Sequence, residues 1–166
     1  SFSMAGGVSA SSIASWNGTT WSALALGISG GVLALTVLTN GDLVAGGSFS
    51  TAGGYVARSI ARWDGVGWFA LDSAGMDRRV VSLATRPNGG LVAGGDFNLA
   101  GGVVTGGIAL WDGTSWSAVG TNLVGWAYSL TTLGSGDLVA GGPNNIMRWN
   151  GTSWSNLSAG LDRFEV

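Results

Sequence analysis

Four tryptophan pairs dominate the side chains of this chain that are able to bind something: Trp16 and Trp21, Trp63 and Trp68, Trp111 and Trp116, Trp149 and Trp154, each flanking an Asn-Gly or Asp-Gly step. An indole face stacks on sugar rings, but two indoles across a hairpin also bury about 150–250 Å² each and pin strand register. Recurrence of the pair in all four copies makes the structural role the expected one. Trp126 is the ninth tryptophan and lies outside the pairs; with Tyr128 it is a candidate ligand or interface anchor, and Tyr55 joins them in a candidate sugar platform. The charges cluster at Asp72, Asp77, Arg78 and Arg79, and Asp162 and Arg163 repeat the middle pair. With Arg58 these are the candidate polar contacts, although solvated salt bridges account for most such charges.

The composition excludes more chemistry than it offers. There is no His, no Cys and no Lys, so imidazole bases, thiol nucleophiles, lysine chemistry and His-ligated metals are out of reach. Eight Asp and a single Glu (Glu165) leave an Asp-dependent hydrolase as the weakest alternative, because no carboxylate pair repeats as it would across a cleft. The Asn-Gly-Asp and Asp-Gly steps lack the alternating acids of a calcium loop. No cofactor is expected. Charged residues make up 10% of the chain against roughly 25% in ordinary domains, and the net charge is −2. No basic stripe exists to hold phosphates, so nucleic acid is not an expected partner. Gly or polar residues interrupt every apolar stretch, so no membrane span is expected. A surface of Ser, Thr, Asn and Gly fits an extracellular or cell-surface location. The Asn17, Asn150 and Asn156 sequons match the glycosylation pattern. Two of them, however, stand where Asp64 and Asp112 stand in sister copies, so turn chemistry accounts for them.

The elements that position these residues follow from a period. The first tryptophans stand 47, 48 and 38 residues apart, and LVAGG recurs in step at Leu43–Gly47, Leu91–Gly95 and Leu138–Gly142. Short apolar runs and tight turns at such a period point to four-stranded antiparallel blades of a β-propeller. In residues 28–75 the spacing predicts strands at Val32–Leu38, Asp42–Phe49, Ile60–Trp63 and Trp68–Leu71. Asn40-Gly41 is read as a tight turn with positive φ at both residues, and residues 50–59 as a polar connection. Residues 76–122 repeat the plan. Residues 123–160 repeat it with a deletion between strands two and three, where loops absorb length at little cost. Residues 1–27 supply only the end of a second strand with strands three and four, and residues 161–166 open a first strand. The expectation is thus all-β, about three and a half blades, with the ring incomplete and the chain a piece of something longer.

The diglycines Gly46-Gly47, Gly94-Gly95 and Gly141-Gly142, with IASW, IARW, IALW and IMRW ending at Trp16, Trp63, Trp111 and Trp149, resemble kelch and galactose-oxidase-type propeller repeats. They are most similar to the tandem I-A-x-W-[ND]-G-x-x-W repeats of bacterial surface proteins and the fungal cortical cell-polarity marker family. The resemblance covers nearly the whole chain and implies a fold. The copper-radical chemistry of galactose oxidase does not carry over, since it needs Cys and His. The implied role is a non-enzymatic protein-binding or structural scaffold, with carbohydrate binding as the alternative. Expected partners are further blades, from a longer polypeptide or another copy of the chain, other surface proteins, and glycans. In a propeller the connections 48–59, 72–79, 96–107, 121–126 and 143–145 share one face, where contacts are expected.

Overall fold

The computed structural model describes residues 1–121, 125–143 and 145–158. Residues 161–166, read as a first strand, lie outside these, and so do Asp162 and Arg163. All regular structure among the described residues is β. A short hairpin, β1 (Met4–Ala5) and β2 (Val8–Ser9), precedes a second, β3 (Ala14–Trp16) and β4 (Trp21–Ala23). Next come β5 (Ile28–Val37), β6 (Leu43–Ala52), β7 (Tyr55–Val56), β8 (Ile60–Trp63) and β9 (Trp68–Ala70). They are followed by β10 (Val80–Thr85), β11 (Leu91–Gly95), β12 (Leu99–Ala100), β13 (Val103–Val104), β14 (Ile108–Trp111) and β15 (Trp116–Ala118). The last group is β16 (Ser129–Thr132), β17 (Leu138–Gly141), β18 (Ile146–Trp149) and β19 (Trp154–Asn156).

Three antiparallel meanders result, β5-β6-β8-β9, β10-β11-β14-β15 and β16-β17-β18-β19, and none closes on itself. The sheets pack face to face. Ile13 and Leu24, flanking the β3–β4 hairpin, meet Ala45, Ala61 and Trp68 of the first sheet. Val44 and Ile60 on its other face meet Val80, Leu91 and Trp111 of the second. Val92 and Ile108 in turn meet Ala127, Leu138 and Ala140 of the third. A central sheet is therefore apolar on both faces, which is why its strands read as nearly continuous hydrophobic runs. The first strand β10 lies between β5 and β16.

The diglycines serve two different contacts. A Cβ on Gly46 would stand 2.5 Å from Val80 and 3.3 Å from Leu83 of the next sheet, and one on Gly94 would stand 2.8 Å from Leu130. The first glycine thus makes room for the neighbouring sheet. The second faces a carbonyl within or just ahead of its own first strand: Gly47 meets Gly31 of β5, Gly95 meets Arg79 before β10 and Gly142 meets Trp126 before β16. In the first and second sheets that carbonyl sits beside a register shift in the pairing of the first and second strands.

Two turn expectations need correction. At Asn40-Gly41 only the glycine has positive φ, +91°. The loop spans more residues, closed by Leu38 N–H to Asp42 O at 2.8 Å, and the Asn40 amide instead bonds Asp42. The connection 50–59 is not purely loop, because β6 runs on to Ala52 and turns at Gly53-Gly54 into β7. The β12–β13 hairpin, a separate two-stranded sheet, is its counterpart in the next copy.

Candidate functional site

The tryptophan hairpins are built by side-chain turns. Asn17 Oδ1 accepts the Thr19 and Thr20 amides at 2.9 and 2.8 Å, and Asp64, Asp112 and Asn150 do the same in their copies. Backbone donors favour the ionised form, so the Asp64 and Asp112 carboxyls lie below their ordinary range. The ring centroids of the four pairs stand 5.3 to 5.5 Å apart, tilted by 45 to 54°. Trp68 Nε1 donates to Leu24 O at 3.0 Å and Trp154 Nε1 to Val119 O at 2.7 Å, so a second tryptophan also ties its sheet to the preceding unit. Trp68, Trp111 and Trp116 are buried in the core, whereas Trp16 and Trp21 are 51% and 40% exposed.

The candidate contact residues fall in three places. Arg58 and Asp77 line one cleft of about 480 Å³ between the first and second sheets, over an apolar floor of Phe49, Met76 and Leu99. Its walls come from three of the five connections expected to share a face. Asp77 Oδ1 accepts the Asn98 and Leu99 amides at 2.8 and 2.9 Å, which fixes the rim. Arg58 carries no ion pair among the described residues, and neither does the exposed Arg78. Asp72 is a turn residue, bonding the Ala74 and Gly75 amides.

Trp126 and Tyr128 stand together, ring centroids 6.2 Å apart, with Trp126 40% exposed. Arg79, just ahead of β10, approaches Tyr128. Its Nε donates to Asp96 Oδ2 at 2.9 Å, and this bond, with a smaller contribution from the Tyr128 hydroxyl, holds the guanidinium above its ordinary pKa. Tyr55 does not join this group. It is 71% exposed and lines a separate cleft of about 480 Å³ with Val56, Trp68 and Phe69. A single sugar platform of Trp126, Tyr128 and Tyr55 is not what the fold assembles.

Sequence reasoning missed Asp96 and two ion pairs. Arg62 pairs with Asp42, and Arg148 with Asp137. In the second sheet the equivalent positions are Gly90 and Leu110, whose side chain would meet a Cβ on Gly90 at 3.2 Å. Joint change at the two positions from copy to copy was the available signal. Among the described residues no group of three acidic side chains, His or Cys could hold a metal. Among the same residues no helix is long and apolar enough to cross a membrane. No family model matches the sequence, and no curated protein does.

Proposed function

We propose that the chain is a segment of a kelch-like β-propeller acting as a non-enzymatic protein-binding or structural scaffold in an extracellular or cell-surface assembly. The observation that supports the reading is the serial packing of three like four-stranded meanders with β10 between β5 and β16, an arrangement that propeller blades would produce. The cleft at Arg58 and Asp77 is where a protein partner would sit: an apolar floor supplies area and a bare guanidinium on the rim supplies specificity. Arg58→Glu is expected to weaken such a partner while leaving the fold intact. Antibodies against residues 1–166 should stain intact source cells; staining only after permeabilisation would refute the location. Turnover of an ester, peptide or glycoside that one Asp→Asn change abolishes would replace the scaffold reading with a hydrolase.

The second reading is carbohydrate binding, favoured by Trp126 and Tyr128 beside the Arg79–Asp96 pair, a combination that occurs in no other copy. Glycan-array binding lost in Trp126→Ala and kept in Tyr55→Ala would promote it. Binding unchanged in Trp126→Ala would remove it.

A further inference from the structure

We infer that the open side of the first sheet is a strand-addition site that takes a β-hairpin of this repeat's own first-and-second-strand type, carrying a diglycine at the end of its second strand. Three observations converge on it. Leu35 and Val37 of β5 are 52% and 57% exposed, although they pair with Ala45 and Leu43 on the face that the β3–β4 hairpin partly covers. Their surroundings in the other sheets say what belongs there. Leu83 and Leu130, the equivalents of Leu35, rest on Gly46 and Gly94 of the preceding second strand, so Leu35 calls for a glycine in the same place. Second, among the described residues β3 pairs only with β4, whereas β8, β14 and β18 each also pair with a second strand, so there the outer edge of Ala14–Trp16 presents backbone donors and acceptors that no described strand takes up. Third, Trp16 is 51% exposed where its equivalent Trp111, paired with Leu91 of β11, is buried in the core with Val44 and Ile60 of the preceding sheet.

The geometry also states the register. In the second sheet Leu91, Val92, Ala93 and Gly94 face Trp111, Leu110, Ala109 and Ile108. A donor of that sequence would therefore set its Leu on Trp16, its Val on Ser15, its Ala on Ala14 and its first glycine on Ile13. A bulkier residue at that glycine would collide with Leu35. The site is continuous with the existing contact of the β3–β4 hairpin on the same sheet face, and the inference stands on this equivalence rather than on the scaffold reading.

The test uses a fluorescein-labelled synthetic peptide of residues 76–95, ending at the diglycine because Ser1 and Phe2 already fill the next two places, added to the full 166-residue chain. Saturable binding by anisotropy is expected, with slowed hydrogen exchange at the Ala14–Trp16 amides. Gly94→Leu in the peptide and Leu35→Asp in the chain should each weaken binding about tenfold or more, because the apolar contact between Leu35 and the donor strand is lost. Leu133→Asp, on the third sheet, should change it less than about twofold. The peptide variant keeps the test independent of whether Leu35→Asp folds. No binding, or binding indifferent to Gly94→Leu, overturns the inference. So does a dimer formed through the Leu35 face that excess peptide does not disperse, since the occupant would then be a second copy.

Discussion

At the residue scale, one indole does unlike jobs according to what its neighbours bury. Trp68 is 2% exposed, fills the contact between the first sheet and the β3–β4 hairpin, and bonds Leu24 O, whereas Trp16 is half in solvent. Trp68→Ala should cost about 3–5 kcal/mol and Trp16→Ala about 1 kcal/mol, the range of a cross-strand pair. Chemical denaturation measures both, and equal losses would contradict the packing. Ser59 offers the opposite change. Its φ of +65° is left-handed, held by Ser59 N–H to Phe49 O at 2.9 Å and by its own carbonyl, which accepts Gly47 N–H at 3.0 Å. Gly107 fills the equivalent place in the second sheet. Ser59→Gly should raise stability by up to about 1 kcal/mol, relief of backbone strain exceeding the extra freedom of the unfolded chain. A lower Tm would refute this.

At the element scale, the hairpins and the β5–β6 loop set the acid response. Asp64 and Asp112 have depressed folded-state pKa values because backbone amides bond their carboxylates, and Asp42 because Arg62 and then Asn40 do. A depressed carboxyl contributes stability that is present above its ordinary value of 3.8 and is lost as pH falls through the folded value. With no His in the chain, Tm should be level from pH 8 to about pH 5 and fall below about pH 4. Asp112→Asn keeps the turn, as Asn17 and Asn150 do, and should make the acid slope shallower; an unchanged slope would exclude Asp112 from it. The Asp42–Arg62 pair joins β6 to β8, and the second sheet solves the same position with Gly90 and Leu110. Asp42→Gly combined with Arg62→Leu should therefore lose less stability than the two single changes summed. Additive losses would show that the two positions do not act together.

At the scale of the whole molecule, the serial packing leaves an apolar surface at each end. Leu35 and Val37 are bare on the first sheet, and Leu133, Ile146 and Leu157 are exposed on the third. Each exposed Val or Leu forgoes roughly 1.5–3 kcal/mol of burial, so the isolated chain should associate at micromolar concentration. Multi-angle light scattering is expected to show species above 16.6 kDa that the 76–95 hairpin partly disperses. A folded, monodisperse 16.6 kDa chain without added peptide would refute this.

Local chemistry carries what the sequence determined alone. Repeated Trp pairs, Asn-Gly and Asp-Gly steps and LVAGG runs are short-range signals, and they specified all-β meanders of four antiparallel strands because turn geometry and strand period act within a few residues. The short β6–β7 and β12–β13 hairpins escaped notice since their strands are two residues long on the β7, β12 and β13 sides and their turns, Gly53-Gly54 and Gly101-Gly102, looked like loop. Grouping of the candidate residues was a tertiary matter. Arg58 and Asp77 share a cleft, Trp126 and Tyr128 meet Arg79 and Asp96, and Tyr55 stands elsewhere, because each grouping depends on which sheet faces packed together. The reason for each glycine of the doublets was equally invisible from the chain, since a glycine records that something comes close and only the packed neighbour shows what: Leu83 at Gly46, and the Gly31 carbonyl at Gly47.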